Sequence, residues 1–302
     1  MFKGVLSPVI TVFDRNGKLD YEGNKLVIER LIDNGINGLL FLGSIGEFFA
    51  MSMAEKQEFT AFVVKTVNKR VPVLIGTGGT VQAEVIEFTR FAEQAGADAA
   101  VVISPYYFKL NSTAIYRYYA NVARSTSLPI MMYNFPERTA ADLEPELVCR
   151  LIKEFPHIVA IKDTVDNISH TRKLIQAAKA VRPEFCVLSG FDEYMIPNLM
   201  AGGDGILGGL TNVVPGVFSD LMRAYKAKEM AQVEAAQAKI SILMNLYEVS
   251  APFVAAIKGA VARMGVPIVP AVKDPAADLT DEQQQRIKTL LVSAGVITAD
   301  KE

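Results

Sequence analysis

The sharpest chemical anomaly in this chain is a lysine set in an apolar run. Lys162 lies in Ile158-Val159-Ala160-Ile161-Lys162-Asp163-Thr164, a stretch of strand length. An ammonium buried among such neighbours pays a heavy desolvation cost. That cost favours the neutral amine, the form that attacks a carbonyl. Two readings stand. Lys162 is either the Schiff-base nucleophile of a class I aldolase-type enzyme, or a strand-end lysine that carries its head to solvent or pairs with Asp163.

Other polar residues interrupt apolar runs in the same way. Tyr133 ends the run before Lys162 and could shuttle a proton during carbinolamine formation and carbon–carbon cleavage. The competing fate is a core tyrosine whose hydroxyl meets a backbone carbonyl. Ser44, in Gly43-Ser44-Ile45-Gly46-Glu47, could relay that proton or bind a carboxylate together with nearby backbone N–H groups; it could equally cap a turn. Tyr106-Tyr107 follows Pro105 and suits either rim packing or an interface. In Gly190-Phe191-Asp192-Glu193 the paired acids could hold the hydroxyls of a polyol, or simply complement a helix N-terminus. Arg138 could anchor a second carboxylate or be a solvated loop charge. The run Gly202–Gly209 contains no Lys or Arg. It therefore suits a tight turn beside the substrate better than a phosphate cradle.

These residues need elements to hold them. Strand-length apolar runs occur at Val5–Phe13, Gly38–Gly43, Val71–Thr77, Ala99–Pro105, Pro129–Phe135, Ile158–Thr164, Phe185–Gly190 and Gly205–Gly209. Continuous rather than alternating hydrophobicity marks strands buried on both faces. Amphipathic helical stretches lie between them, as in Tyr21–Asn34 and Val81–Ala95. Eight such strands predict an α/β fold, a closed (β/α)₈ TIM barrel. A dinucleotide-binding doubly wound sheet is disfavoured, because no strand is followed by Gly-x-Gly-x-x-Gly. In such a barrel the chemistry belongs at the C-terminal ends of the strands, where all the residues above fall. After residue 228 the strand pattern stops, and Met230–Tyr247, Ala251–Met264 and Asp281–Ala294 follow as helices. The expected organisation is a barrel at 1–228 carrying the active site and a three-helix C-terminal extension at 229–302.

The chain of 302 residues is half hydrophobic with a formal net charge of −2, which points away from nucleic acid and membrane surfaces as partners. Cys149 and Cys186 lie among apolar residues and are expected to be buried reduced thiols. There is no Cys/His cluster of zinc-binding spacing, so no metal is expected. The N-terminus has no basic region followed by a long apolar run, and the default location is cytoplasmic.

At its motifs the sequence resembles the dihydrodipicolinate synthase/N-acetylneuraminate lyase family over nearly its whole length. Gly43-Ser44-Ile45-Gly46-Glu47 is similar to that family's Gly-[Ser/Thr]-Thr-Gly-Glu loop, Tyr133-Asn134-Phe135-Pro136 to its Tyr-Asn-x-Pro strand end, and Ile161-Lys162-Asp163-Thr164 to its Schiff-base strand. The resemblance implies a homotetramer, a dimer of dimers, with no metal and no organic cofactor. It implies that Lys162 forms an imine with pyruvate or another 2-keto acid. It further implies Tyr133 as proton shuttle, Ser44 as carboxylate ligand and relay, and Tyr107 as the end of the relay, from a neighbouring subunit. Ile45, Gly46, Arg138, Gly190, Asp192, Glu193 and Leu207 are the implied substrate contacts, Leu207 through its backbone.

Within the family, Ile161-Lys162-Asp163-Thr164, Ser104–Lys109 and Ala251-Pro252-Phe253 look most like the 2-keto-3-deoxygluconate aldolase branch. Gly190-Phe191-Asp192-Glu193 is similar to the segment with which sialic acid lyases hold sugar hydroxyls. Arg138, however, falls where dihydrodipicolinate synthases keep an arginine. Ile45 replaces the second hydroxyl of the family loop, and Gly209 stands where sialic acid lyases carry a serine. Three readings follow: a lyase of 2-keto-3-deoxy sugar acids, a dihydrodipicolinate synthase condensing pyruvate with aspartate semialdehyde (a related keto-acid dehydratase shares its imine), and a non-catalytic barrel that binds a keto acid.

Overall fold

The computed structural model describes residues 2–299; Met1 and residues 300–302, the end of the expected extension, lie outside the described part. Eight parallel strands close on themselves in chain order: β1 Gly4–Pro8, β2 Gly38–Phe41, β3 Val73–Gly76, β4 Ala99–Ile103, β5 Ile130–Asn134, β6 Ile158–Asp163, β7 Cys186–Ser189 and β8 Gly205–Leu207. The ring is completed by β8 against β1, with Leu6 opposite Leu207. Strand residues alternate between two apolar layers. Leu6, Leu40, Leu74, Val101, Met131, Ala160 and Leu188 fill the barrel interior, with Phe2 packed among them. Val5, Leu39, Ile75, Val102, Met132, Ile161 and Val187 face the helices. Two buried faces explain why the strands read as unbroken apolar runs.

The first expected strand, Val5–Phe13, is shorter than its sequence suggested. After Pro8 the ladder continues for one bond, Val9 N–H to Leu40 O at 2.8 Å. Ile10 N–H then donates to Asn212 Oδ1 and Val12 N–H to Asn24 Oδ1. Buried side-chain amides thus replace the neighbouring strand as backbone partners, and nothing in the apolar pattern distinguishes the two.

The helices are α1 Tyr21–Asp33, α2 Met53–Val67, α3 Gln82–Gln94, α4 Ser112–Ala123, α5 Pro136–Thr139, α6 Pro145–Glu154, α7 Ile168–Val181, α8 Met195–Met200 and α9 Pro215–Ala227. Several begin at side-chain caps: Asp20 for α1, a Ser52/Glu55 capping box for α2, Asn111 for α4 and Asn167 for α7. Beyond the barrel come α10 Met230–Leu243, a 3₁₀ stretch Met244–Glu248, α11 Val254–Arg263 and α12 Asp281–Ser293, the last opened by a Thr280/Gln283 capping box. Helix α11 is buried at every position from Val254 to Val261, so it acts as a core element rather than a surface appendage. Both cysteines are free; Cys186 is buried as expected, whereas Cys149 on α6 is only half-buried. Among the described residues no helix is long and apolar enough to cross a membrane.

Candidate active site

Strand register sets the central geometry. Tyr133 on β5 is the direct neighbour of Lys162 on β6, and both point into the barrel at its C-terminal end. The Lys162 ammonium nitrogen stands 4.4 Å from the centre of the Tyr133 ring, and the lysine is 6 % exposed. From the 3₁₀ turn Ser44–Gly46 after β2, Ser44 Oγ comes to 3.5 Å from the Tyr133 hydroxyl. Amine, phenol and alcohol, contributed by three strand ends, thus meet at one point.

Asp163, the ion-pair partner that the sequence offered for Lys162, faces the other way. It lies in the outward layer, one residue past the lysine, where Asn134 Nδ2 and Thr171 Oγ1 donate to it. His170 Nδ1 lies 3.2 Å from the same carboxylate, and His170 Nε2 lies 3.2 Å from Asp142 Oδ2. Asn134 Nδ2 also reaches Asp142 Oδ1 at 2.7 Å. This network locks β5 to β6 directly behind the Tyr133–Lys162 pair. Asp142, Glu144 and His170 bring ligand atoms within 4.8 Å of one another, a grouping with metal-ligand chemistry. Burial pulls the imidazolium down, but Asp142 and then Asp163 outweigh it and hold its pKa up at about 10. A cation bound there would have to displace a proton from the imidazolium.

A raised histidine pKa stabilises the fold fully below the unfolded value of 6.5, and the contribution is lost as pH climbs towards 10. The His170→Asn protein is therefore expected to melt well below wild type at pH 6, with a deficit of about 2–4 kcal/mol after solvent screening. The deficit should shrink steadily between pH 7 and 10. Thermal melts across that range check it; a pH-independent deficit would mean that the charge is irrelevant.

Above the three groups lies a cavity of about 560 Å³. Of the residues singled out in the sequence, Ser44, Ile45, Tyr133, Arg138, Lys162, Gly190, Asp192 and Glu193 line it. Gly46, Leu207 and Tyr107 do not. Gly46 is buried, with its carbonyl accepting from Thr11 Oγ1 at 2.8 Å. Leu207 is fully buried in the barrel interior. Tyr107 is 87 % exposed at a backbone φ of +89°. Arg138 stands at the mouth on α5, its guanidinium 5.5 Å from the centre of the Phe135 ring.

The two acids after Gly190 have different surroundings. Asp192 is 1 % exposed; its Oδ2 accepts from the Tyr247 hydroxyl at 2.6 Å and its Oδ1 from Leu210 N–H at 3.0 Å. Burial pushes its carboxyl up to about 6, against the pull of these donors and of Lys162. Its carboxylate thus ties β8's exit to the extension. Glu193 lines the cavity, and its backbone carbonyl accepts from Gln237. Gly190 must be glycine for reasons of space: a Cβ there would lie 1.9 Å from Thr164 Oγ1 and 3.0 Å from Lys162 Cε.

Several lining residues were not foreseen. Thr164, two positions after the lysine, has a buried hydroxyl with no hydrogen-bond partner among the described residues, a donor held ready beside the amine. Its place in the Lys-Asp-Thr segment was the available signal. Ser241, Asn245, Tyr247 and Phe253 reach the cavity from the extension, and nothing in a helical pattern announces which of its residues will do so.

A closed parallel barrel thus brings a lysine, a tyrosine and a serine together at its strand ends, the arrangement of an aldolase-type enzyme. The model of the dihydrodipicolinate synthetase family matches residues 1–294, and the chain belongs to that family. Among curated relatives, the "Putative 2-dehydro-3-deoxy-D-gluconate aldolase YagE" of Escherichia coli K12 is 40 % identical, with 96 % of each chain covered. The "Probable 2-dehydro-3-deoxy-D-pentonate aldolase YjhH" of the same organism is 35 % identical, with 98 % of each covered. The crystal structure of YagE from E. coli K12 in complex with pyruvate superposes with a TM-score of 0.96 at 39 % identity, covering 98 % of this chain and all of that one. The protein is a carbon–carbon lyase of this family.

Proposed function

We propose that the protein is a Schiff-base lyase that cleaves or forms a 2-keto-3-deoxy sugar acid, with pyruvate as one partner and an aldehyde as the other. The observation that carries the substrate class is the polar wall beside the amine. The unpartnered Thr164 hydroxyl, Glu193, Ser241 and Asn245 all face the cavity. A hydroxyl-bearing chain satisfies such groups, and an apolar one leaves them desolvated. The aldolase names of YagE and YjhH support the same class.

In this reading the Lys162 amine adds to the C2 carbonyl, and loss of water gives an iminium. Tyr133 takes the proton of the C4 hydroxyl. The C3–C4 bond breaks, its electron pair passes into the iminium to form an enamine, and the aldehyde leaves. Protonation at C3 and hydrolysis release pyruvate and regenerate the amine. Ser44, with the N–H of Ile45, binds the carboxylate, Gly46 closes the turn that presents both through its N–H to Gly43 O, and the Leu207 backbone borders the pyruvate moiety. Gly190 leaves room for the imine, and Glu193 orients distal hydroxyls. Asp192 shapes that wall through Tyr247.

The barrel at 1–228 supplies the reacting groups, and the extension at 229–302 supplies one wall. Tyr107 completes the relay from a neighbouring subunit of a homotetramer, a dimer of dimers; its exposure beside Phe108, itself 73 % exposed, suits a covered position in an assembly. The free cysteines suit the reducing cytoplasm.

A panel of 2-keto-3-deoxy acids of five and six carbons, assayed for pyruvate release, tests the reading. Release from at least one is expected, with Arg138→Ala leaving its KM within about threefold. The alternative, condensation of pyruvate with aspartate semialdehyde, is favoured by Arg138 at the cavity mouth. In that case Arg138→Ala raises the semialdehyde KM by about tenfold or more, the cost of a lost charge-assisted contact. No pyruvate release from any acid, with condensation observed, would replace the first reading by the second.

A further inference from the structure

Behind the turn that carries Ser44 lies an ion pair that the chemistry above does not use. Lys258 on α11 is fully buried, and its ammonium donates to Glu47 Oε1 and to Ala271 O at 2.7 Å. It also stands 4.7 Å from the centre of the Phe13 ring. Glu47 is 1 % exposed, and its second carboxylate oxygen accepts from Lys273 N–H at 2.8 Å. Burial pulls the Lys258 ammonium down, and Glu47 opposes it.

Glu47 is the residue that ends the Ser44–Gly46 turn. Its backbone is left-handed, φ +56°, a conformation that a side-chain-bearing residue takes at a cost unless its surroundings impose it. Its N–H closes the turn onto Ser44 O. The side-chain clamp and the strained backbone therefore belong to one residue, three positions from Ser44. A buried ion pair is a poor source of net stability, because desolvation consumes most of the attraction. What it fixes well is geometry: two charges in an apolar surround tolerate few arrangements. The geometry here is the 3.5 Å approach of Ser44 Oγ to the Tyr133 hydroxyl, at the outer limit of a hydrogen bond, where a small shift of the turn breaks the relay.

We propose that Lys258 is a positioning residue for the reaction: it holds Glu47, and through Glu47 it sets the turn that presents Ser44 to Tyr133. The inference rests on the Lys162–Tyr133–Ser44 reading. It gives the C-terminal extension a part in proton transfer as well as in lining the cavity.

The test separates placement from folding. Lys258→Met leaves Glu47 as an unpaired buried carboxylate, so a lower melting temperature and lower activity are expected together. The Glu47→Gln/Lys258→Met double variant has no buried charge to strand and is expected to melt near wild type. Its rate of deuterium exchange at the methyl group of pyruvate, which requires enamine formation and proton relay but no second substrate, should stay about 10- to 100-fold below wild type. Borohydride trapping of pyruvate on Lys162 should persist, and the apparent affinity for pyruvate should change less than the exchange rate. Wild-type exchange in a stable double variant would overturn the inference and leave the pair a folding device. If the double variant melts low, Glu47→Asp, which keeps the charge and shortens the reach, is read in the same way: slowed exchange with trapping intact supports placement, and unchanged exchange overturns it. Absence of trapping in the wild-type protein would instead mark failure of the Schiff-base reading itself.

Discussion

Lys162→Ala is expected to abolish trapping of pyruvate by borohydride and to lower kcat by about 10⁴-fold or more, while the protein melts at or above the wild-type temperature. Removing a covalent nucleophile removes the intermediate, and what remains is binding and orientation alone. The stability half of the expectation comes from position. The ammonium is 6 % exposed and sits over the face of the Tyr133 ring, and the carboxylate next to it in sequence is bonded on the far side of the strand. A polar group held that way, with no carboxylate bonded directly to it, adds little to the fold, as functional groups commonly do. Intact-mass measurement after borohydride treatment and a thermal melt decide the matter together. A mass increase that survives the substitution would show that another amine is the nucleophile. A large fall in melting temperature with activity retained would mark Lys162 as structural.

Tyr133→Phe is expected to lower kcat by about 10²- to 10⁴-fold, the usual contribution of a positioned acid–base group, and to leave pyruvate trapping in place. The substitution is conservative here. The ring that faces Lys162 remains, as does its stacking on Phe135, centroid to centroid at 5.9 Å, so the barrel interior has no cavity to fill. Only the hydroxyl opposite Ser44 is lost. The two substitutions therefore have different signatures: one removes the imine, and the other slows what the imine does. Single-turnover cleavage measured beside trapping distinguishes them. Should Tyr133→Phe turn over at the wild-type rate, the proton must leave by another route, and the Ser44–Tyr133 approach would be incidental.

The comparison of Lys162 with Lys258 shows how far the amino-acid sequence reaches. Both follow an isoleucine in an apolar run, Ile161-Lys162 and Ile257-Lys258, and both are buried. The same anomaly that pointed to a nucleophile at the first would have pointed to one at the second. They differ only in surroundings. Glu47, 211 positions away in the chain, neutralises Lys258, whereas Lys162 faces an aromatic ring and a cavity.

Local pattern determined the rest of what was legible. Eight doubly buried strands require a barrel, because a strand that is apolar on both faces needs a layer on each. The strand ends then locate the chemistry. Ser44, Tyr133, Lys162 and the Gly190–Glu193 segment were legible because each sits where an apolar run stops.

What lay beyond the sequence was anything that depends on a partner far along the chain. Asp192 and Glu193 are adjacent and chemically alike. Tertiary packing ties one to Tyr247 and Leu210 and leaves the other on the cavity wall. Thr164 became notable only when its hydroxyl was seen buried without a partner. Sequence alone therefore determined which residues could react and which strand carries each, since both follow from hydrophobic period and residue type. Only the tertiary structure decided which buried lysine is matched by a carboxylate and which faces the cavity, because burial and pairing depend on what the fold brings alongside.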